Sequence, residues 1–460
     1  MEMSKLERLV FFHKTPALWN KVKNLPDQPQ FNTVGKMRSH FKGSALDEEM
    51  KLFLETDVYF QMCKRICHEF GITEIHVVHG FMEEEDRNWS VSEQIGWSPV
   101  DEKTTYWSLT DPADLLGFMD SSIVFTRGNY PRLHQWLNEN SLKPEHQFWF
   151  HYPATSLRFP HIEQFEESVK TAYKNNKMIS NLDNSMKGMT IEHDKREIGG
   201  NGLQSFSLLI EYFKSQREIV IGGPYNLVLV DDKGVAGELQ KAFPNSLIQT
   251  FTKPAIWNKK NDICIRKYDM IYCGTTLQVT KNHQCFIQLL RHLDVYLDTK
   301  LRIAIAGNKT DSEIFAPLFD YPFSNIELFD KGEVSREQLQ SLFSESKTMI
   351  VTSGRDANPR VIQECLVHGA RVLAINTLSD GLGFLEANPL LGSVLSSEPE
   401  LWNYTRNGNL EFKPSIHLAS LIAGEIGRSN FPDLVMNISR KKLSVEEAVK
   451  SLTETIKSFR

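Results

Sequence analysis

Short runs of β-branched and aromatic residues alternate with stretches of helical periodicity along almost the whole chain, and this alternation constrains the fold more than anything else in the sequence. Leu9-Val-Phe-Phe-His13, Ile75-His-Val-Val-His79, Ser122-Ile-Val-Phe-Thr126, Phe148-Trp-Phe-His151, Tyr225-Asn-Leu-Val-Leu-Val230 and Leu247 to Phe251 read as strands. Leu46 to Phe70 with Gly71 as its stop, Ala113 to Met119, Leu133 to Leu137 and Val235 to Phe243 read as helices. Residues 82–104 are acidic and irregular and read as an excursion, and residues 181–203 are polar and Gly-rich and read as a loop. Parallel strands need crossovers, and helices supply them, so the sheet is covered on both faces.

The pattern then begins again. Met270-Ile-Tyr-Cys273, Leu301-Arg-Ile-Ala-Ile-Ala306, Ile326-Glu-Leu-Phe329, Thr348-Met-Ile-Val-Thr352 and Arg371-Val-Leu-Ala374 are strands. His283 to Leu297 and Ser335 to Ser344 are helices between them. The fold class is therefore α/β with two Rossmann-like domains. Pro254 and the Asn258-Lys-Lys-Asn-Asp262 run form the break, giving domains at 1–262 and 263–440, with 441–460 as a terminal helix. That helix opens with a capping box, Ser444-x-x-Glu447.

With 460 residues, 41% hydrophobic and 24% charged, the chain has enough apolar content for two cores. A net charge of −6 leaves no basic excess to neutralise phosphate backbones, so nucleic acid is not an expected partner. No apolar run approaches the about 20 residues that cross a bilayer, which leaves only peripheral membrane contact open. The N-terminus, Met1-Glu-Met-Ser-Lys-Leu-Glu-Arg8, has no signal-peptide core, and a cytoplasmic location is the expectation. The cysteines, Cys63, Cys67, Cys264, Cys273, Cys285 and Cys365, are scattered through apolar elements and lack zinc-ligand companions, as in a reducing compartment.

The chemistry concentrates in Ser353-Gly-Arg-Asp-Ala-Asn-Pro-Arg-Val-Ile-Gln-Glu364, continuing as Cys365-Leu-Val-His-Gly-Ala-Arg-Val-Leu-Ala374. It reads as strand end, loop, short helix, strand. Asn358 is the expected N-cap, Pro359 the first helical residue and Gly369 the stop. Val361, Ile362, Cys365, Leu366 and Gly369 form the expected buried face, with Arg360 and Glu364 off it and one turn apart. A helix N-terminus with free N–H groups suits an anion, and Asp356 and Glu364 flank it as hydroxyl acceptors.

This segment resembles the donor-site signature of glycosyltransferases of the GT-B fold, specifically retaining family 4: Glu, seven residues, Glu, then Ala-Met-Ala-x-Gly-x-Pro-Val. Asp356 stands at the first Glu and Glu364 at the second, and Arg371 stands where Pro is usual. The resemblance implies two Rossmann-like domains facing each other across a cleft, with the terminal helix returning to the first. It implies that Glu364 holds the ribose hydroxyls. Asp356, with the backbone of Asn358, Pro359 and Arg360, would contact donor sugar and diphosphate. In Gly274-Thr-Thr-Leu-Gln-Val-Thr-Lys281 the family's Lys is matched by Lys281 and its Arg is replaced by Thr276, so Lys309, Arg355 or Arg360 is left to supply the second cation. Gly332-Glu-Val-Ser-Arg-Glu-Gln-Leu339 resembles the base-reading run, through Gly332 and Val334, and Gly307 the family's glycine after the second strand.

In the first domain, the family often has a His at the place of His151, facing the donor sugar. His13 and Arg127 end strands toward the same cleft, and His13 as a general base would suit an inverting enzyme. The glycine-rich acceptor loop is absent from Phe12-His-Lys-Thr-Pro16, and no Asp-x-Asp occurs, so neither a metal nor a cofactor is expected. The resulting expectation is a hexosyl- or pentosyltransferase that moves a sugar from a nucleotide-diphospho sugar to a hydroxyl of a glycan, lipid or small molecule, with retention. Asp356, Lys281 and His151 are its catalytic candidates. The alternatives are a nucleotide-sugar 2-epimerase of the same fold, or a degenerate, non-catalytic glycan-binding relative.

Overall fold

The computed structural model describes residues 6–12, 52, 54–79, 95–99, 104–109, 119, 121–128, 147–153, 189–190, 197–198, 223–231, 233–257, 265–274, 283–307, 316–353, 359–375, 382–395, 416–427 and 431–459. They separate into two compact units. One takes Met1–Thr155, Ile219–Ile256 and Ser444–Arg460, and the other Ser156–Glu218 and Trp257–Leu443.

The first unit is built on β1 (Arg8–Phe12), α1 (Val58–Phe70), β2 (Glu74–His79), β3 (Ile95–Pro99), β4 (Thr104–Leu109), β5 (Ser122–Arg127) and β6 (Phe148–Tyr152). A two-residue ribbon in the second unit, β7 (Met189–Thr190) with β8 (Glu197–Ile198), precedes the first unit's β9 (Leu227–Val230), α2 (Lys233–Ala242) and β10 (Leu247–Thr250). The eight strands run in the order β10-β9-β6-β5-β1-β2-β4-β3. Every pairing is parallel except the edge, where β3 lies antiparallel to β4. The first strand of that pair, Ile95–Pro99, falls within the stretch read from sequence as an irregular excursion. The Gly96 and Pro99 in this strand obscure a strand pattern and suit an edge.

Helix α1 is set by Asp57, whose carboxylate accepts from the Tyr59 and Phe60 N–H groups, and by Gly71, which stops it at φ 66°. Its Val58, Met62, Cys63 and Ile66 pack on Phe11, Phe125 and Phe150, which stack across adjacent strands. The terminal helix α10 (Val445–Ser458) completes this core with Val449, Leu452 and Ile456.

The second unit contains β11 (Tyr268–Cys273), α3 (His283–Tyr296), β12 (Leu301–Ala306), α4 (Ala316–Phe319), β13 (Ile326–Gly332), α5 (Arg336–Ser344), β14 (Ser346–Val351), α6 (Arg360–Val367), β15 (Arg371–Ile375), α7 (Gly383–Glu386), β16 (Gly392–Leu395), α8 (Ile416–Gly427) and α9 (Pro432–Lys442). The chain then returns to the first unit as α10 (Val445–Ser458). The six parallel strands follow the order β13-β12-β11-β14-β15-β16. Counted within the unit this is 3-2-1-4-5-6, the order of the doubly wound dinucleotide fold. Counted in the same way, the parallel strands of the first unit run 3-2-1-4-5-6-7, with β4 third. The chain is thus α/β with two Rossmann-like units.

Candidate donor site at the switch point of the second unit

In a doubly wound sheet the ligand crevice lies beyond the carboxyl ends of the strands, where the strand order reverses. Here that point falls between β11 and β14, at Gly274 on one side and Thr352-Ser353 on the other. The Tyr272 hydroxyl joins the two ends. It lies 2.8 Å from His283 Nδ1 at the start of α3 and also bonds Thr352. Burial pushes the Tyr272 phenol well above its ordinary range, so it stays a neutral hydrogen-bonding pin. Nothing in the strand-and-helix reading of the sequence marks this trio, because the three residues are joined only by the fold.

Three glycines shape the same edge. The Gly274 N–H donates to Ala306 at 3.2 Å and the Gly307 N–H to Gly332 at 2.8 Å. Gly307 has φ 90°, and a Cβ there would meet the Gly274 carbonyl oxygen at 3.1 Å. Gly332 has φ 60°, and its N–H donates to Asp330 Oδ1 at 2.8 Å. At Gly307 glycine is what lets the strand ends run this close. Val334 follows, half-buried, before the Ser335 N-cap of α5.

Helix α6 differs from its sequence reading in two respects. Pro359, at φ −56° and ψ 122°, is the N-cap residue and Arg360 the first helical one, so the start lies one residue later than Asn358 and Pro359 suggested. The helix is also buried nearly all round: Ile362, Gln363, Glu364, Cys365, Leu366 and Val367 are all covered. Glu364, expected off the buried face, is 4% exposed. The cover comes from α5 and α9 packed on either side. The C-terminal stop is at Gly369 as expected. It has φ 82° and donates to Leu366, while the Ala370 N–H reaches Cys365, closing a Schellman motif.

The buried Glu364 carboxylate is held by two guanidinium groups on one oxygen. Arg336 Nη2 lies 3.0 Å from Oε1 and Arg360 Nε 3.4 Å from the same atom. Arg360 is the partner the spacing suggests. Arg336, 28 residues earlier on α5, has no local signal in the sequence. Its guanidinium closes a chain from the Gly332–Ser335 segment to the carboxylate.

Arg371, standing where the family has Pro, has a structural employment. At the start of β15 its Nη2 bonds Glu425 at 3.2 Å, and Ser393 Oγ donates to the same carboxylate at 2.8 Å. The pair ties β15 and β16 to α8, at the sheet end opposite the switch point.

Other candidates are placed as follows. His151 is wholly buried, its ring stacked on Tyr225 at 4.5 Å with Phe243 near, and Nδ1 is 2.7 Å from Thr126 Oγ1. That is a core setting with a local hydrogen bond. Arg127 ends β5 half-buried over the Tyr59 ring at 4.0 Å. Beside it Tyr152 donates its hydroxyl proton to Asp231. Asp356, Asn358, Lys281, Thr276 and His13, with Lys309 and Arg355, lie outside the described residues. Among the described residues no three His, Cys, Asp or Glu cluster as a metal would need, and no helix is long and apolar enough to cross a membrane. Burial pushes the Cys67 and Cys285 thiols up to about 12, so neither is a nucleophile at neutral pH.

No family model matches the chain, and no curated protein matches it. Among solved structures it is similar to a sucrose-phosphate synthase from Thermosynechococcus elongatus, at 10% identity over 87% of this chain and 92% of that one, TM-score 0.48. It is similar to WaaG, a glycosyltransferase involved in lipopolysaccharide biosynthesis, at 10% identity over 87% and 95%, TM-score 0.45. A complex of S. aureus TarM with UDP is similar at 13% identity over 75% of this chain, TM-score 0.43, and the chain spans 57% of that protein's length. Side-chain roles here rest on this chain's own residues.

Proposed function

We propose that the protein is a GT-B glycosyltransferase that moves a sugar from a nucleotide-diphospho sugar to a hydroxyl acceptor, with retention and without a metal ion. The observation that carries this reading is the Glu364 carboxylate, held between two arginines beside the switch point of the second doubly wound sheet. Such a group accepts hydrogen bonds and donates none, which suits paired ribose hydroxyls. The Gly332–Val334 segment one chain link away suits a base read through backbone atoms. The resemblance assigns the donor sugar to Asp356 and the leaving diphosphate to Lys281 and the Asn358–Arg360 turn. Charge developing on that diphosphate is what such groups stabilise. Without an Asp-x-Asp, the reading has no ligand set for a bridging metal, so turnover should persist in excess chelator.

The test is incubation with a panel of UDP-, GDP- and ADP-sugars, following hydrolysis and transfer with and without chelator. Release of nucleoside diphosphate from one donor supports the reading. Interconversion of a sugar without release identifies a 2-epimerase, and binding of glycans with neither reaction identifies a non-catalytic relative. Complete loss of activity in chelator, restored by Mn²⁺, overturns the metal-free mechanism.

A further inference from the structure

Resting on that reading of Glu364, we infer that Arg336 is the positioning residue that fixes the ribose-binding carboxylate and so sets the preference for ribonucleotides over deoxyribonucleotides. Arg336 is the first residue of α5, and its backbone is held by a complete capping box. Ser335 Oγ accepts from the Gln338 N–H at 3.2 Å, and the Ser335 N–H donates to Gln338 Oε1 at 2.7 Å. From that fixed base its guanidinium reaches across to Glu364 at 3.0 Å, the shorter of the two ion pairs. Its side chain is 26% exposed against 47% for Arg360, so it is the better shielded of the two. Arg360 shares a helix with Glu364 and moves with it. Arg336 comes from a separate element and therefore determines where the carboxylate stands relative to the Gly332–Ser335 segment.

The geometry at the carboxylate divides its two oxygens. An ionised carboxylate offers about four lone-pair sites. Each guanidinium makes its ion-pair contact with Oε1, and among the described residues no hydrogen bond reaches Oε2. Two sites on Oε2 are left, matching the two hydroxyls of a ribose. A guanidinium never loses its proton, so both partners of Oε1 stay donors at any working pH. Without Arg336 the Glu rotor is ordered only by an exposed neighbour, and the direction of Oε2 is lost.

The experiment is calorimetric titration of wild type, Arg336→Met and Arg336→Lys with UDP, GDP and ADP and their 2′-deoxy counterparts, alongside urea denaturation of each. Wild type should favour the ribonucleotide by about tenfold or more, the scale of a hydrogen bond to a charged group. Arg336→Met should bind the ribonucleotide about tenfold more weakly, with its ratio to the deoxynucleotide falling toward one. Arg336→Lys, which keeps the charge but not the fork, should be intermediate. Equal weakening for both nucleotides, with the ratio kept, shows a merely structural role and overturns the inference while sparing Glu364. If Arg336→Met unfolds, the ratio in Arg336→Lys decides. Failure of the wild type to bind any of the six removes the reading of Glu364 itself, and the inference with it.

Discussion

Glu364 shows what a sequence conveys at the scale of one residue. Its place in the signature and its pairing with Arg360 follow from spacing alone. Its burial does not, because the helices packed on α6 are α5 and α9, separate segments of the chain. The consequence is a double effect on substitution. Glu364→Ala should weaken binding of the nucleoside diphosphate by about 1.5–3 kcal/mol, measured by calorimetry. It should also lower stability by about 1–3 kcal/mol in urea denaturation, since two guanidiniums lose their counter-charge. The cost stays below that of a fully buried pair because both guanidiniums reach water. A purely exposed Glu364 would give the first effect without the second. Gly369 is the opposite case, a residue whose constraint is visible in sequence as a helix stop but whose severity is not. A Cβ there would meet Arg266 Nη2 at 2.6 Å and the Pro432 carbonyl oxygen at 2.8 Å, on top of φ 82°. Gly369→Ala should therefore destabilise by more than the about 1 kcal/mol of a left-handed position alone, seen as a lower urea midpoint.

Among the elements, those with a single clear period were legible. Strands β5, β6, β9 and β12 and helix α3 lie within a residue or two of their sequence assignments. Helix α8 was not, because Ile416-His-Leu-Ala-Ser-Leu-Ile-Ala-Gly-Glu-Ile-Gly427 spreads apolar residues round its circumference and carries two glycines. Helix α10 was legible from its cap: Ser444 Oγ accepts from the Glu447 N–H at 3.0 Å. Its return to the first domain came from the resemblance and not from its own residues, and its partners there are α1 and the first-unit sheet. Val449, Leu452 and Ile456 are buried there, Phe459 meets Phe148 edge-on at 5.4 Å, and Thr455 Oγ1 bonds Gln249 at 2.6 Å. Ser444→Ala should cost about 1 kcal/mol, the usual value of a lost N-cap. Leu452→Ala should cost about 2–5 kcal/mol, read from the first-unit transition in urea, as expected for a core cavity.

For the whole molecule, buried histidines make stability depend on pH. Burial lowers His76 in the first unit and His368 in the second below the ordinary 6.5. His76 is opposed in this by Glu74 and assisted by Arg8, and His368 is assisted by Arg440, Arg266 and Arg336. The folded chain therefore binds fewer protons than the unfolded chain. Stability from these groups is complete above 6.5 and declines as pH falls below it. The urea midpoint should drop between pH of about 7.5 and about 5.5, and replacing either histidine with Asn should flatten that slope. A midpoint that rises over the same interval would contradict the assignment. The doubling of the α/β pattern was readable along the entire chain, since each half repeats strand, helix and strand. The strand order was not, because parallel neighbours are chosen by packing and no local residue names its partner.

The path of the chain has a consequence for its birth on the ribosome. The second unit, Ser156–Glu218 with Trp257–Leu443, lies within the sequence span of the first, which takes up α10 after it. During synthesis the enclosed unit emerges with all its strands and is free to fold. The first unit, though begun earlier, waits with Phe148 and the side of α1 that α10 covers left open until residues 445–459 arrive. The part made first is finished last, and a nascent chain stalled before α10 presents that open face as its target for chaperones.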